Sequence, residues 1–173
     1  LCTIGSPSFS KLGNPILDRV VLLKPLVKLI KRVPYEGAGI FLVPTMPLFK
    51  ETIGRFFGNP RNMKSRDLMK IIVLAPTTLP TSLLSQLAGW YEDGGFKAEG
   101  QGVDYCAGLG EVSRPTLVLA GANDYLTPVD DLAFIYESLG TDDKRFVVLG
   151  KSTGCRHDYG HIDPVLGRYA ESE

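Results

Sequence analysis

Apolar residues fall into two rhythms along the chain. In the C-terminal part they come as short unbroken runs. Pro115-Thr-Leu-Val-Leu-Ala120, bounded by Pro and Gly, predicts a strand buried on both faces, and Arg145-Phe-Val-Val-Leu149 predicts the next one. Between them, Leu132, Ile135 and Leu139 recur at helical spacing over 129–139, with Asp130 and Asp131 in a first turn where the helix dipole favours them. A loop containing Gly154 and Gly160 comes next, and a final helix begins near Asp163-Pro164. Leu1 to Ile4, running into Gly5-Ser6-Pro7, reads as a short buried strand entering a loop.

The intervening stretch has the other rhythm. Ile16, Val20, Leu23, Val27 and Ile30 repeat at three- and four-residue intervals, so 16–31 is expected to be helical, with Pro25 kinking it or starting a second helix. The Gly- and Pro-rich segment 34–60 predicts short helices and turns, not strands. Ser65-Arg66-Asp67-Leu68 opens another helical stretch. Thr81 to Tyr91 is a clearer one, with Leu84, Leu87 and Ala88 on one face and Thr81 or Ser82 as its N-cap. The resulting division is a strand and loop over 1–14, a segment over 15–102 that is helical throughout, and an α/β unit over 103–173.

Composition alters this picture little. The chain has 173 residues, 44% hydrophobic and 22% charged, as expected of one globular domain. A net charge of +0 gives no global attraction to nucleic acid or to an anionic membrane surface. Basic residues outnumber acidic ones by about three to one over 11–70, and acids dominate by about two to one from Ile71 onward; solvated helix faces account for this better than an anionic partner would. Cys2, Cys106 and Cys155 are far apart and form no metal or redox motif, so neither a metal nor a cofactor is implied and a reducing compartment is the default. No run is long and apolar enough for a transmembrane segment, and no signal peptide is seen, which makes a cytoplasmic location the expectation. Both ends read as cut, so the targeting of a longer parent is not legible.

In a parallel sheet, reacting groups gather in the loops at the C-terminal ends of the strands. Two loops here carry suitable residues. Asp124 lies in Gly121-Ala-Asn-Asp124-Tyr-Leu-Thr-Pro128, placed either to project over the sheet edge or to bond its own backbone as a turn aspartate. The second loop, Cys155-Arg-His157-Asp158-Tyr-Gly160-His161-Ile-Asp163, holds both histidines of the chain. A histidine beside a buried carboxylate can act as a general base, and Gly160 would let the backbone turn so that the His161 ring points into a cleft. His157 is expected to be structural or solvent-facing, Asp158 and Asp163 to flank and cap, and Cys155 to be inert. The apolar residues Ile40, Phe41, Leu42, Phe49, Phe56, Phe57 and Trp90 either line an apolar pocket or pack the helical segment onto the core.

The segments Arg114-Pro115-Thr-Leu-Val-Leu-Ala-Gly-Ala-Asn-Asp124-Tyr-Leu-Thr-Pro128 and Asp158-Tyr-Gly160-His161-Ile-Asp163 resemble the C-terminal portion of the α/β-hydrolase superfamily. The resemblance is carried by about 104–168. It implies an α/β fold, the C-terminal part of a parallel sheet, with 15–102 as a helical cap (lid) insertion. It also places a triad acid at Asp124 and the triad base at His161. No Gly-x-Ser-x-Gly elbow precedes Asp124, so the nucleophile would lie before Leu1. Gly150-Lys-Ser152-Thr-Gly154 matches that pattern literally, but residues 155–160 are poor helix formers and the match comes after the acid; it is likewise no phosphate loop. The implied activity is hydrolysis of an ester or related acyl bond in an apolar small molecule by the full-length parent, the isolated chain being inactive. The alternatives are a polyester-synthase-like acyltransferase with a cysteine elbow, or a non-catalytic α/β module that binds a small molecule or partner. Substrate identity and oligomeric state are not legible.

Overall fold

A computed structural model describes residues 1–7, 57–74, 78–97 and 102–172, with isolated positions between 18 and 55. Most of 16–31 and of 34–56, including Ile40, Phe41, Leu42, Phe49 and Phe56, lies outside the described residues. Within 16–31, Asp18, Val21, Leu22 and Pro25 are described, and all four are helical.

The described fold is mixed α/β around a small parallel sheet. Its three strands are β1 (Cys2–Ile4), β4 (Thr116–Gly121) and β5 (Lys144–Leu149), in the order β1-β4-β5. The register pairs Ile4 with Leu119, and Gly121 with Leu149, so all three strands finish at one edge. Helix α3 (Val129–Ser138) connects β4 to β5 and covers one face of the sheet. Its Leu132 is fully buried with Val118 and Ala120 of β4 and with Leu139, and Phe146 and Val148 of β5 pack against this cluster. Lys144, which opens β5, donates from Nζ to the carbonyls of Leu139 (2.8 Å) and Glu137 (3.3 Å). A cation thus meets the carbonyls left open at the end of α3.

Before the sheet's second strand come α1 (Ser65–Leu74) and α2 (Thr81–Asp93). Leu68 and Ile72 of α1 form a second core with Met63, against which Phe57 and Ile162 pack. Helix α2 stops at Gly94, whose left-handed backbone (φ 68°) lets the chain close the last turn onto Trp90 and Tyr91.

Three expectations are corrected. The segment 15–102 is not helical throughout: β2 (Arg32–Val33) and β3 (Leu79–Pro80) form a two-residue antiparallel ladder. That ladder also moves the start of α2. Pro80 ends β3 in extended conformation and is itself the N-cap, without a side-chain hydrogen bond, so Thr81 and Ser82 fall inside the helix. And β1 is not buried. Among the described residues it is an edge strand with β4 as its one neighbour, and Cys2 and Ile4 are exposed.

The core of the sheet depends on Leu132. Leu132→Ala is expected to cost about 2–5 kcal/mol in urea denaturation, because the cavity under α3 cannot collapse against a hydrogen-bonded sheet. Val165→Ala, at a side chain 62% exposed, is expected to stay within about 0.5 kcal/mol. Equal losses at the two positions would contradict this assignment of the core.

Candidate active site

The common edge of the sheet brings two loops together. Leu149, the last residue of β5, accepts through its carbonyl from Ala122 N (3.0 Å) in one loop and from Tyr159 N (3.2 Å) in the other. Asn123 N then donates to Tyr159 O at 2.7 Å. These backbone bonds cross-tie the segment after β4 to the segment after β5. Asp124 is the next residue along the first, and His161 lies two residues beyond Tyr159 along the second.

The two oxygens of Asp124 divide two tasks. Oδ1 accepts from the backbone N–H of Leu126 (2.8 Å) and of Thr127 (3.0 Å), which makes the loop an aspartate-stabilised turn. Oδ2 accepts from the Thr127 hydroxyl at 2.5 Å and lies 2.9 Å from His161 Nδ1. The turn role and the histidine role are therefore both occupied, one by each oxygen. Pro128 closes the loop as the N-cap of α3.

Burial and hydrogen bonding pull the carboxyl of Asp124 in opposite directions. Burial, the largest single influence, raises its pKa by penalising the charge. The hydrogen bonds from His161 and from the hydroxyl and N–H of Thr127, with the charge of His161, together outweigh it and lower the pKa below the ordinary 3.8. Asp124 is thus an ionised, acceptor-only group at neutral pH. His161 Nδ1 must carry the hydrogen it donates, which leaves Nε2 as the lone pair of the neutral ring. The Asp124 side chain is 1% exposed and that of His161 is 27% exposed, so the base reaches solvent while the acid does not.

Gly160 precedes His161, but its backbone is outside the left-handed region. It is required by close approach instead: a Cβ there would stand 2.7 Å from Asn59 N and from Gly58 C. Gly5, at the exit of β1, closes the site from a third side. Its φ is +56°, and a Cβ on it would meet His161 Nδ1 at 3.0 Å. Gly5 also lines an open, mainly apolar groove of about 420 Å³ that runs along β1 toward Leu139.

The remaining candidates lie apart from this pair. His157 stacks on Tyr169, with centroids 3.9 Å apart and planes at 12°. Asp158 Oδ1 accepts from Lys151 N at 2.8 Å. Ser152 is exposed in a single 3₁₀ turn, Lys151–Thr153, which ends at Gly154 instead of entering an α-helix. All three cysteines are free. Phe57 packs on the α1 core, and Trp90 donates from Nε1 to Lys97 O at 2.6 Å. Asp163 does not cap: its carboxylate is fully buried and accepts from Asn59, Asn62 and Gly160.

Sequence reasoning passed over Thr127 and Asn62. The spacing of Asp124 and Thr127, three apart before Pro128, was the available sign of the first. Nothing local marks Asn62, whose partners are about a hundred positions away.

Because the pKa of Asp124 is lowered in the folded chain, its contribution to stability is present above the unfolded value of about 4 and is lost as the pH falls through the folded value. Wild type is expected to exceed Asp124→Asn in urea midpoint at pH 7, with the gap closing on acidification below pH ~4. A gap independent of pH would remove Asp124 as an ionised partner.

Among the described residues no group of His, Cys, Asp or Glu could hold a metal ion, and no helix is long and apolar enough to cross a membrane. No family model, no curated protein and no solved structure matches the chain, so the site stands on its own geometry.

Proposed function

We propose that this chain supplies the acid and the base of an α/β-hydrolase-type catalytic triad, with the nucleophile coming from outside its residues. The observation that carries the reading is the Asp124 Oδ2–His161 Nδ1 contact of 2.9 Å at the C-terminal edge of a parallel sheet, with the acid buried and the base half-open. The order of acid before histidine, on neighbouring strands, supports the same reading.

In this reaction His161 Nε2 takes the proton of an attacking hydroxyl as its oxygen bonds to the carbonyl carbon of an ester. Asp124 holds the ring and stabilises the imidazolium so formed. His161 then returns the proton to the departing alcohol, leaving an acyl-enzyme. Water repeats the sequence, giving its proton to His161 as it attacks and releasing the acid. The apolar groove that shares Gly5 with the site is consistent with an apolar acyl substrate. Segment 15–102 serves as the lid of such an enzyme, and the chain contains its last α/β portion.

Two measurements test this. Reading the residues encoded upstream of Leu1 is the first: a strand followed by Gly-x-Ser-x-Gly supports hydrolysis, a cysteine at that turn indicates acyl transfer, and no elbow leaves a non-catalytic binding module. The second is turnover of a short-chain p-nitrophenyl ester by the protein containing that elbow. His161→Ala and Asp124→Asn are each expected to lower kcat by on the order of 10³-fold or more, while the isolated chain leaves the ester intact. Undiminished turnover in both variants would end the proposal.

A further inference from the structure

We infer that Asp163 is a positioning residue for His161: its buried carboxylate fastens the histidine loop to the segment 57–62 and so holds the ring at Asp124. This rests on the reading of Asp124 and His161 as an acid–base pair.

Asp163 is 0% exposed, and Asn62 beside it is 1% exposed. Asp163 Oδ1 accepts from the backbone N–H of Asn59 and of Gly160, both at 2.9 Å. Oδ2 accepts from Asn62 Nδ2 at 2.8 Å. Every one of these donors is a neutral N–H, and two of the three belong to the segment before α1. A cap for the four-residue helix 163–166 would point along that helix; this carboxylate bridges two loops instead.

The bonds bracket His161 on both sides. Gly160, just before it, donates to Asp163, and Ile162, just after it, donates to Phe57 O at 3.0 Å. Asn59 Nδ2 and Asn62 Nδ2 both donate to Asp158 O at 2.7 Å, and Arg168 N donates to Asn62 O at 2.8 Å. The Ile162 side chain meanwhile packs on the α1 core. His161 itself has one polar side-chain contact among the described residues, the one to Asp124. Its placement is therefore inherited from its neighbours.

The chemistry of the junction calls for a carboxylate. Asn62 Nδ2 already serves Asp158 O and Asp163 Oδ2 together. An asparagine at 163 could keep its oxygen on the two backbone donors only by turning its NH₂ toward Asn62 Nδ2, donor against donor. Flipping Asn62 would then abandon Asp158 O. Asp163→Asn is thus isosteric, yet it breaks the lock.

The test is a histidine side-chain ¹⁵N–¹H NMR correlation on the full 173-residue chain, with His157→Gln assigning the two rings. Wild type is expected to show a protected Nδ1–H from His161 that Asp124→Asn abolishes. Asp163→Asn is expected to lose that signal too, while the backbone spectrum stays dispersed and the His157 signals stay in place. Should Asp163→Asn fail to fold, Asn62→Ala, which keeps both bonds to Oδ1, is read in its place, with the same loss expected. A retained Nδ1–H signal in the folded variant, whatever its loss of thermal stability, would overturn the proposal. If wild type shows no Nδ1–H that depends on Asp124, the acid–base reading fails first and takes this proposal with it. The Asp124→Asn spectrum therefore separates the two failures.

Discussion

The parallel register of β4 and β5 is the constraint on which the site depends. With Gly121 opposite Leu149, the two loops leave the sheet side by side. The Leu149 carbonyl then binds one N–H from each loop. Each of these bonds is worth only about a kcal/mol net, but they act on geometry more than on stability. They fix the relative height of two short chain segments, and the contact between Asp124 and His161 is made within one or two residues. That register is in turn held by α3, whose Leu132, with Leu139 just past its end, seals the β4 face carrying Val118 and Ala120. Packing beneath the sheet thus sets the distance between two polar groups above it.

A carboxylate placed at such an edge must be kept charged while being kept dry. Desolvation alone pushes the Asp124 carboxyl toward its neutral form. Four contacts prevent this: the two N–H donors of its own turn, the Thr127 hydroxyl and the His161 ring. Three of the four come from the loop itself, so the acid is preorganised whether or not His161 is in place. The histidine lacks that independence. On the proposed reading its place depends on the 158–163 loop, which is tied at Tyr159 to Leu149 and Asn123 and, at Asp158, Ile162 and Asp163, to donors and acceptors in 57–62.

Those two arrangements differ in how far they can be read from the chain. The β4–α3–β5 unit is legible because a four-residue apolar run, a Gly exit and a 3.6-residue period are all local signals, and the order of Asp124 and His161 comes with them. The turn of Asp124 is nearly as local, although assigning it one role or the other missed that each oxygen takes one. The short β2–β3 ladder carried no period, since two residues cannot alternate, and it appeared only through tertiary pairing. The exposure of β1 escaped the reading for a related reason: Leu1 to Ile4 is as apolar as a buried strand, and its exposure emerges only with the sheet order, in which β4 is its one neighbour among the described residues. Asn59, Asn62 and Asp163 were the least legible, because side chains about a hundred residues apart complete each other's hydrogen bonds.

Asp124 and Asp163 show how surroundings, not residue type, assign a carboxylate its task. Both are buried aspartates one loop apart, and both accept from backbone N–H groups near the same edge. Asp124 has one oxygen turned to an ionisable ring that can share a proton with chemistry outside. Among the described residues the Asp163 carboxylate accepts only from amide N–H groups, so its contacts orient dipoles. The same distinction explains their placement. Asp124 sits at a strand end, beneath a ring that is open to solvent, whereas Asp163 is fully buried next to Ile162, which packs on the second core, and there a low local dielectric strengthens each N–H bond it accepts. On the proposed reading such a site needs both: one carboxylate to make the histidine a base, and another to keep the histidine where the first can reach it.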